Sequence, residues 1–215
     1  MKTLTTTVAR LAKSIGREVR LMEVCGTHTM VAFRTGLRQL LPANVKLISG
    51  PGCPVCVTDT SFIDAAIELS RRPGVVVATF GDLLRVPGST SSLEAERAAG
   101  ANIRIVYSAS DALVLAKESP SRQVVFLGVG FETTAPTVAW NIWTAAHDGV
   151  KNFSVLCAHK TMPRVMEALL KDREVNIDGF LCPGHVSVIT GAQMYEFIAA
   201  QYHKPCVVEI GRAHV

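Results

Sequence analysis

The chain has few aromatic residues, little charge and no long apolar run. Aromatics make up 6% of its 215 residues and charged residues 19%. No segment approaches the ~20 consecutive apolar residues of a membrane span, and residues 1–20 hold no apolar core of the secretory-signal kind. Its 22 basic and 18 acidic residues are scattered, with a net charge of +4 and no Lys/Arg block. The basic footprint of a nucleic-acid-binding surface is therefore missing. No G-x-S-x-G occurs, which takes away the usual signature of Ser-His-Asp hydrolysis. Short repeats and low-complexity linkers are absent as well. A hydrophobic content of 48% and a mean hydropathy of +0.28 instead describe a chain able to bury a sizeable core. These features set the expectation of a cytoplasmic protein with reduced thiols, where C-x-x-C serves metal binding or redox chemistry rather than a structural disulfide.

Apolar, β-branched runs alternate with segments of 3.6-residue period. The runs at 19–24, 45–49, 75–80, 103–107, 123–129, 153–157, 179–182 and 206–208 read as strands. Most are continuous Val/Ile/Leu/Phe stretches, the pattern of parallel strands covered on both faces. Helices are expected at 29–41, 61–71, 91–99, 110–119, 134–146, 162–171 and 187–201, many opened by Ser or Thr. The fold class expected is α/β, with parallel sheets flanked by helices in two similar Rossmann-like lobes and a cleft between them. The polar stretch Ser119-Pro120-Ser121-Arg122 is the natural boundary, because the strand, Gly-rich turn, helix pattern begins afresh after it. The organisation read from this is an N-terminal helical segment at 1–18, lobe 1 at 19–120, lobe 2 at 121–208 and a tail at 209–215.

Six cysteines are present, and three of them lie in two glycine-marked loops that follow strand-like runs. In open α/β sheets, ligands bind outside the carboxyl ends of the strands, so these thiols are offered to a reaction or a metal. In Cys25-Gly26-Thr27-His28 a cysteine at a helix start gains thiolate character, and His28 three residues on can reach the same point. The same spacing also fits a packed thiol beside a capping histidine. In Gly50-Pro51-Gly52-Cys53-Pro54-Val55-Cys56 the glycines and prolines shape a stiff turn, and a helix beginning there would set Cys53 and Cys56 one turn apart. Such a pair can close a disulfide, pass electrons or clamp a metal. Joined by Cys25 and His28, it could also form a Cys3His zinc site.

Further loops follow the same positional logic. Gly128-Val129-Gly130-Phe131-Glu132-Thr133-Thr134 suits close backbone approach to a ligand, with Glu132 as acid, base or orienting group. It is not a complete G-x-G-x-x-G, since Thr133 takes the last glycine position. Pro183-Gly184-His185-Val186-Ser187 repeats the design, and Cys157-Ala158-His159 ends another strand. Each fits a site role or ordinary turn chemistry. Trp140 and Trp143, three apart on an expected helix, read as core.

Taken in order, Met22-Glu23-Val24-Cys25-Gly26-Thr27-His28, Gly50-Pro51-Gly52-Cys53-Pro54-Val55-Cys56-Val57, Phe80-Gly81-Asp82, Arg85-Val86-Pro87-Gly88, Gly130-Phe131-Glu132-Thr133-Thr134-Ala135-Pro136 and Pro183-Gly184-His185-Val186-Ser187 closely resemble the HypD family of hydrogenase maturation factors. The resemblance runs from about residue 19 to residue 208. It implies a scaffold for assembling the iron of [NiFe]-hydrogenases, carrying an Fe(CN)2CO unit with a HypC-type chaperone and receiving cyanide through HypE and HypF. Cys25 would be the iron-binding thiolate, with His28 close by, and Cys53 and Cys56 the thiol/disulfide pair. Glu132 and His185 would line the cleft, with Gly52, Thr133 and Thr134 as supporting binding positions. The family also carries a [4Fe–4S] cluster in a C-terminal region whose cysteines are missing here. Residues 209–215 depart from the family's continuation and back-translate to something like a sequencing-adapter read-through, so an artificial truncation with a non-native tail is expected.

Overall fold

The structure, a computed structural model, describes residues 2–172 and 174–209. Its elements run α1 (Lys2–Ile15), β1 (Val19–Glu23), α2 (Gly26–Arg34), α3 (Leu37–Leu40), β2 (Val45–Ser49), α4 (Thr60–Arg71), β3 (Val75–Thr79), α5 (Leu93–Ala98), β4 (Ile103–Ile105) and α6 (Ala109–Glu118). They continue with β5 (Gln123–Gly128), α7 (Ala135–His147), β6 (Phe153–Cys157), α8 (Met162–Lys171), β7 (Gly179–Pro183), α9 (Gly184–Thr190), α10 (Glu196–Tyr202) and β8 (Cys206–Glu209). The strands form two four-stranded parallel sheets, ordered β2-β1-β7-β8 and β4-β3-β5-β6. The fold is therefore α/β with two Rossmann-like lobes.

The division between lobes differs from the one read in the sequence. One unit comprises the described residues up to Cys53 together with those from Thr161 onward, and the other is Pro54–Lys160. Long-range pairing explains the difference. β7 joins β1 directly, with Leu21 opposite Gly179 and Glu23 opposite Leu181, so the late segment returns to the first sheet. Ser119–Arg122 only links α6 to β5, and β5 pairs with β3 inside the second unit. One βαβ repeat looks like the next whichever sheet it joins, so a restart of the pattern carries no boundary. Glu209, read as part of a non-native tail, is the last residue of β8 and stands opposite Pro183. Residues 210–215 of that tail lie outside the described residues.

Within Pro54–Lys160 the alternation of strand side chains builds two cores. Val77 and Leu127 face α4 and α5, packing with Ile63, Ala66, Ile67 and Leu93. Val76, Ala78, Val124 and Phe126 face the other way, onto Ala109, Ala112 and Ala116 of α6 and Val138 of α7. Both faces of the sheet are thus covered, as the continuous apolar runs required. Serine and aspartate caps set where helices begin: Asp59 accepts from Ser61 N at 2.8 Å, Ser92 from Ala95 N at 3.2 Å and Ser108 from Asp111 N at 3.1 Å.

In the other unit two expected helices are broken. Gly36 (φ 64°) ends α2 and starts α3, and Gly191 (φ 79°) separates α9 from the turn before α10. Both sit in the left-handed region where a helix cannot continue. The unit's buried side chains include Met22 and Val24 of the β1 segment, Phe180 and Cys182 of β7, and Met166 of α8.

Candidate functional site

In the sheet β2-β1-β7-β8, the chain leaves β1 toward β2 and leaves β7 toward β8. Loops after β1 and β7 therefore diverge, and the crevice outside their carboxyl ends is the position where open sheets take ligands. Cys25 follows β1 there. It is the N-cap of α2, extended at φ −161° and ψ 128°, with its side chain uncommitted to capping. His185 opens α9 after β7 and is exposed.

The two cysteine loops meet through glycine. Gly52 packs so closely on the Cys25–Gly26 backbone that a Cβ on it would overlap Gly26 N, lying 2.9 Å from Gly26 Cα and 3.0 Å from the Cys25 carbonyl carbon. Hydrogen bonds from Gly50 N to Glu23 O (2.9 Å) and from Val24 N to Leu181 O (3.0 Å) hold both sides of this contact. Gly52 thus brings the two cysteine-bearing loops together, and Cys25 and Cys53 are both half-buried free thiols. Residues 54–57 form a turn and α4 begins only at Thr60, so Cys53 precedes that turn and the exposed Cys56 lies within it, and neither opens a helix.

His28 is buried on α2. Its Nε2 lies 2.6 Å from the Glu209 carbonyl oxygen and 3.2 Å from Glu209 Oε2. Donation from Nε2–H to the carbonyl leaves Nδ1 as the lone-pair nitrogen of the neutral ring. Nδ1 is buried with no hydrogen-bond partner among the described residues. An imidazole lone pair and a thiolate are both donor types that a transition metal accepts. Glu23 is fully buried behind this loop and binds Thr29 Oγ1 (3.1 Å) and Arg38 (3.3 Å), tying the starts of α2 and α3 to the strand end.

The sheet β4-β3-β5-β6 has its own divergence between β3 and β5. A cavity of about 230 Å³ opens there, lined by Val55, Phe80, Leu83, Phe131, Thr133 and Thr134 among others. Glu132 lies in the same turn, half-buried. A bigger cavity of about 750 Å³ sits at the amino-terminal edge of this sheet, away from the loops. Two of its arginines are already engaged, Arg71 with Glu96 and Arg72 with Glu68.

A family model for HypD, described as "Hydrogenase formation hypA family", matches residues 1–211. The chain belongs to the HypD family. It is 51% identical over 211 residues to the hydrogenase maturation factor HypD of Rhodobacter capsulatus, covering 96% of this chain and 56% of that protein. It is 49% identical over 200 residues to HypD of Escherichia coli K12, covering 93% and 54%. For HypD of Azotobacter vinelandii the identity is 50% over 198 residues, covering 89% and 52%. The chain spans about half the length of these relatives.

The HypD motifs fall at the carboxyl edges of the two sheets. Cys25, His28, Gly52, Cys53 and His185 lie in one unit, and Cys56, Glu132, Thr133 and Thr134 in the other. Among the described residues no group of three or more His, Cys, Asp or Glu side chains is gathered to hold a metal ion. A preassembled Cys3His zinc site therefore finds no support among the described residues. No described helix is long and apolar enough to cross a membrane.

Three features escaped the sequence reading. Trp140 and Trp143 are 62% and 55% exposed, stacked at 4.9 Å, with His147 stacked on Trp143, instead of lying in the core. Cys182 of β7 and Cys206 of β8 share a hydrogen bond, which raises the Cys182 pKa and lowers that of Cys206, while burial raises both. Cys157, His159 and Thr134 form a connected chain. Cys157-Ala158-His159 was visible as a strand end, but its link to Thr134 spans 25 residues.

Proposed function

We propose that this chain forms the two-lobed part of a hydrogenase maturation scaffold, on which the Fe(CN)2CO unit of [NiFe]-hydrogenase is carried as cargo. The observation that supports this best is the contact of Gly52 with the Cys25–Gly26 backbone, which brings the two cysteine-bearing loops together, with Cys25 and Cys53 half-buried and His28 Nδ1 without a hydrogen-bond partner among the described residues. Soft thiolate and imidazole donors suit low-spin iron with strong-field ligands. In this reading Cys25 binds the iron together with a thiol of a HypC-type chaperone, and His28 stands by as a further donor. Met30 and Phe33, exposed on the helix that Cys25 caps, supply apolar surface for such a partner. Cys53 and Cys56 are the dithiol that supplies two electrons to ligand attachment on the iron, giving up two protons as it closes to a disulfide. Gly52 and His185 shape the cargo's surroundings in the unit that carries Cys25, Glu132, Thr133 and Thr134 are binding positions of the Pro54–Lys160 unit, and HypE and HypF deliver cyanide.

Infrared spectroscopy tests the proposal. The protein, at the full length of its relatives, is purified without oxygen together with a HypC-type partner. Cyanide and carbonyl stretches are expected in the wild type and absent in Cys25→Ala. Bands that survive Cys25→Ala would overturn the placement of the iron on Cys25, and a wild type that shows none and only reduces disulfides through Cys53 and Cys56 would overturn the proposal in favour of a thiol-disulfide oxidoreductase.

A further inference from the structure

A separate thiol site lies in Pro54–Lys160, at the carboxyl ends of β5 and β6. Cys157 is exposed at the end of β6, and its Sγ lies 3.4 Å from His159 Nδ1. On the other side of the ring, His159 Nε2 lies 3.3 Å from Thr134 Oγ1, and Thr134 Oγ1 lies 3.3 Å from the Phe131 carbonyl oxygen. The direction of these bonds follows from the last of them. A carbonyl can only accept, so the single hydroxyl proton of Thr134 goes to Phe131 and the hydroxyl oxygen accepts from His159 Nε2–H. With its proton on Nε2, the neutral ring offers its Nδ1 lone pair to the Cys157 S–H.

The backbone is shaped around this chain of groups. A Cβ on Gly130 would overlap Thr134 Oγ1 and come within 3.1 Å of His159 Nε2, and one on Gly128 would lie 3.2 Å from His159 Cε1. Both glycines of the loop therefore leave room for the imidazole and hydroxyl. Lys160 N donates to Gly130 O at 3.0 Å and Ala158 N to Gly128 O at 2.8 Å, which fixes the segment carrying His159 against that loop. Burial holds His159 below the ordinary imidazole pKa, so the ring is neutral at neutral pH and ready to accept a proton. Gly130 and Thr134 also line the 230 Å³ cavity at the divergence of the sheet, so the relay borders a space for a small ligand.

We infer that Cys157 is an imidazole-assisted nucleophilic thiol, with His159 as its base and Thr134 as the positioning residue, and that it takes disulfide-class electrophiles. His159 Nδ1 accepts the thiol proton as Cys157 Sγ attacks one sulfur of a disulfide. The new Cys157–S bond forms, the S–S bond of the reagent breaks, and the leaving thiolate takes the proton from His159. One thiol and one disulfide give one mixed disulfide and one thiol, with no further oxidant required. The reaction uses none of Cys25, Cys53 and Cys56 and needs no bound iron, and Thr134 is the one residue it shares with the binding positions of the proposed function.

The test is mixed-disulfide formation by the reduced full chain with oxidised glutathione at neutral pH, followed site by site by peptide mass spectrometry. Cys206 in the same sample is the internal reference, and buried Cys182 reports loss of the fold by becoming modified. The Cys157 rate relative to Cys206 is expected to fall about 10²-fold in His159→Ala, the low end of the range for general-base assistance. Thr134→Val is expected to lower it by a smaller factor than His159→Ala, and Thr134→Ser to restore it. If His159→Ala exposes Cys182, the Thr134 pair decides. Equal relative rates in wild type and a folded His159→Ala, or a Thr134→Val as fast as Thr134→Ser, would overturn the inference.

Discussion

Replacing Gly52 by alanine asks for a methyl group where the Cys25–Gly26 backbone already lies. The new Cβ would overlap Gly26 N and stand 2.9 Å and 3.0 Å from two further backbone atoms. Neither side can give by a few tenths of an ångström, because hydrogen bonds pin Gly50 to Glu23 and Val24 to Leu181. Overpacking of this kind costs about 1–3 kcal/mol. Rigid backbone on both sides places Gly52→Ala at about 3 kcal/mol, a large part of a typical stability of about 5–15 kcal/mol. For a chain of this size that corresponds to a fall in Tm of roughly 6–12 °C. Gly26→Ala is the control. Its Cβ would meet only Gly52 O at 3.5 Å and Gly52 C at 3.9 Å, ordinary contacts. Its Tm is expected within about 0.5 kcal/mol of wild type, expressed on the same scale. Calorimetric melts of the three proteins measure this, with thiol labelling of Cys25 and Cys53 as a second readout that should rise only in Gly52→Ala. Equal melting and labelling for both variants would refute the close approach, and with it the side-by-side placement of the two cysteine loops.

Glu96 is held at about 2 instead of 4.5, first by its hydrogen bond from Arg71 and then by Ser91. Its stabilising contribution is complete above pH 4.5 and is lost as pH falls through about 2. The Tm difference between wild type and Glu96→Gln should therefore shrink across that window in melts from pH 6 to 2, and a constant difference would contradict the pairing. Cys206, made more acidic by its hydrogen bond with Cys182, should react with iodoacetamide before Cys182 and more slowly in Cys182→Ala, read by peptide mass spectrometry. Arg38→Ala strips a charged partner from the buried Glu23 carboxylate, and urea unfolding should show a loss of about 1–3 kcal/mol, partly recovered when Glu23→Gln is added. No recovery in the double variant would mean that Arg38 acts through packing alone.

The eight described strands were legible because most are apolar, β-branched runs bounded by turn residues, and the observed ends differ from the expected ones by at most two residues. The ordered loop motifs were legible for a related reason: glycine and proline at strand ends answer to local backbone geometry, which is written in neighbouring residues. Trp140 and Trp143 were misread since a helical spacing says which side chains share a face but not whether that face meets a sheet or solvent. The helix breaks at Gly36 and Gly191 were passed over because a glycine in a periodic segment can be tolerated, and only its positive φ turns it into a stop.

Residue order alone thus settled the α/β class, the strands and the thiol-bearing loops, since these depend on interactions between residues close along the chain. Tertiary structure decided the rest through contacts that no local pattern encodes. β7 pairs with β1 across more than 150 residues and so assigns the late segment to the first sheet. Gly52 reaches Cys25 across 27 positions, and Glu209 closes over His28 across 181. Thr134 meets His159 across 25. In each case close packing or a buried hydrogen-bonding group joined distant parts of the chain, with a stabilisation that depends on which groups meet and not on their separation in sequence.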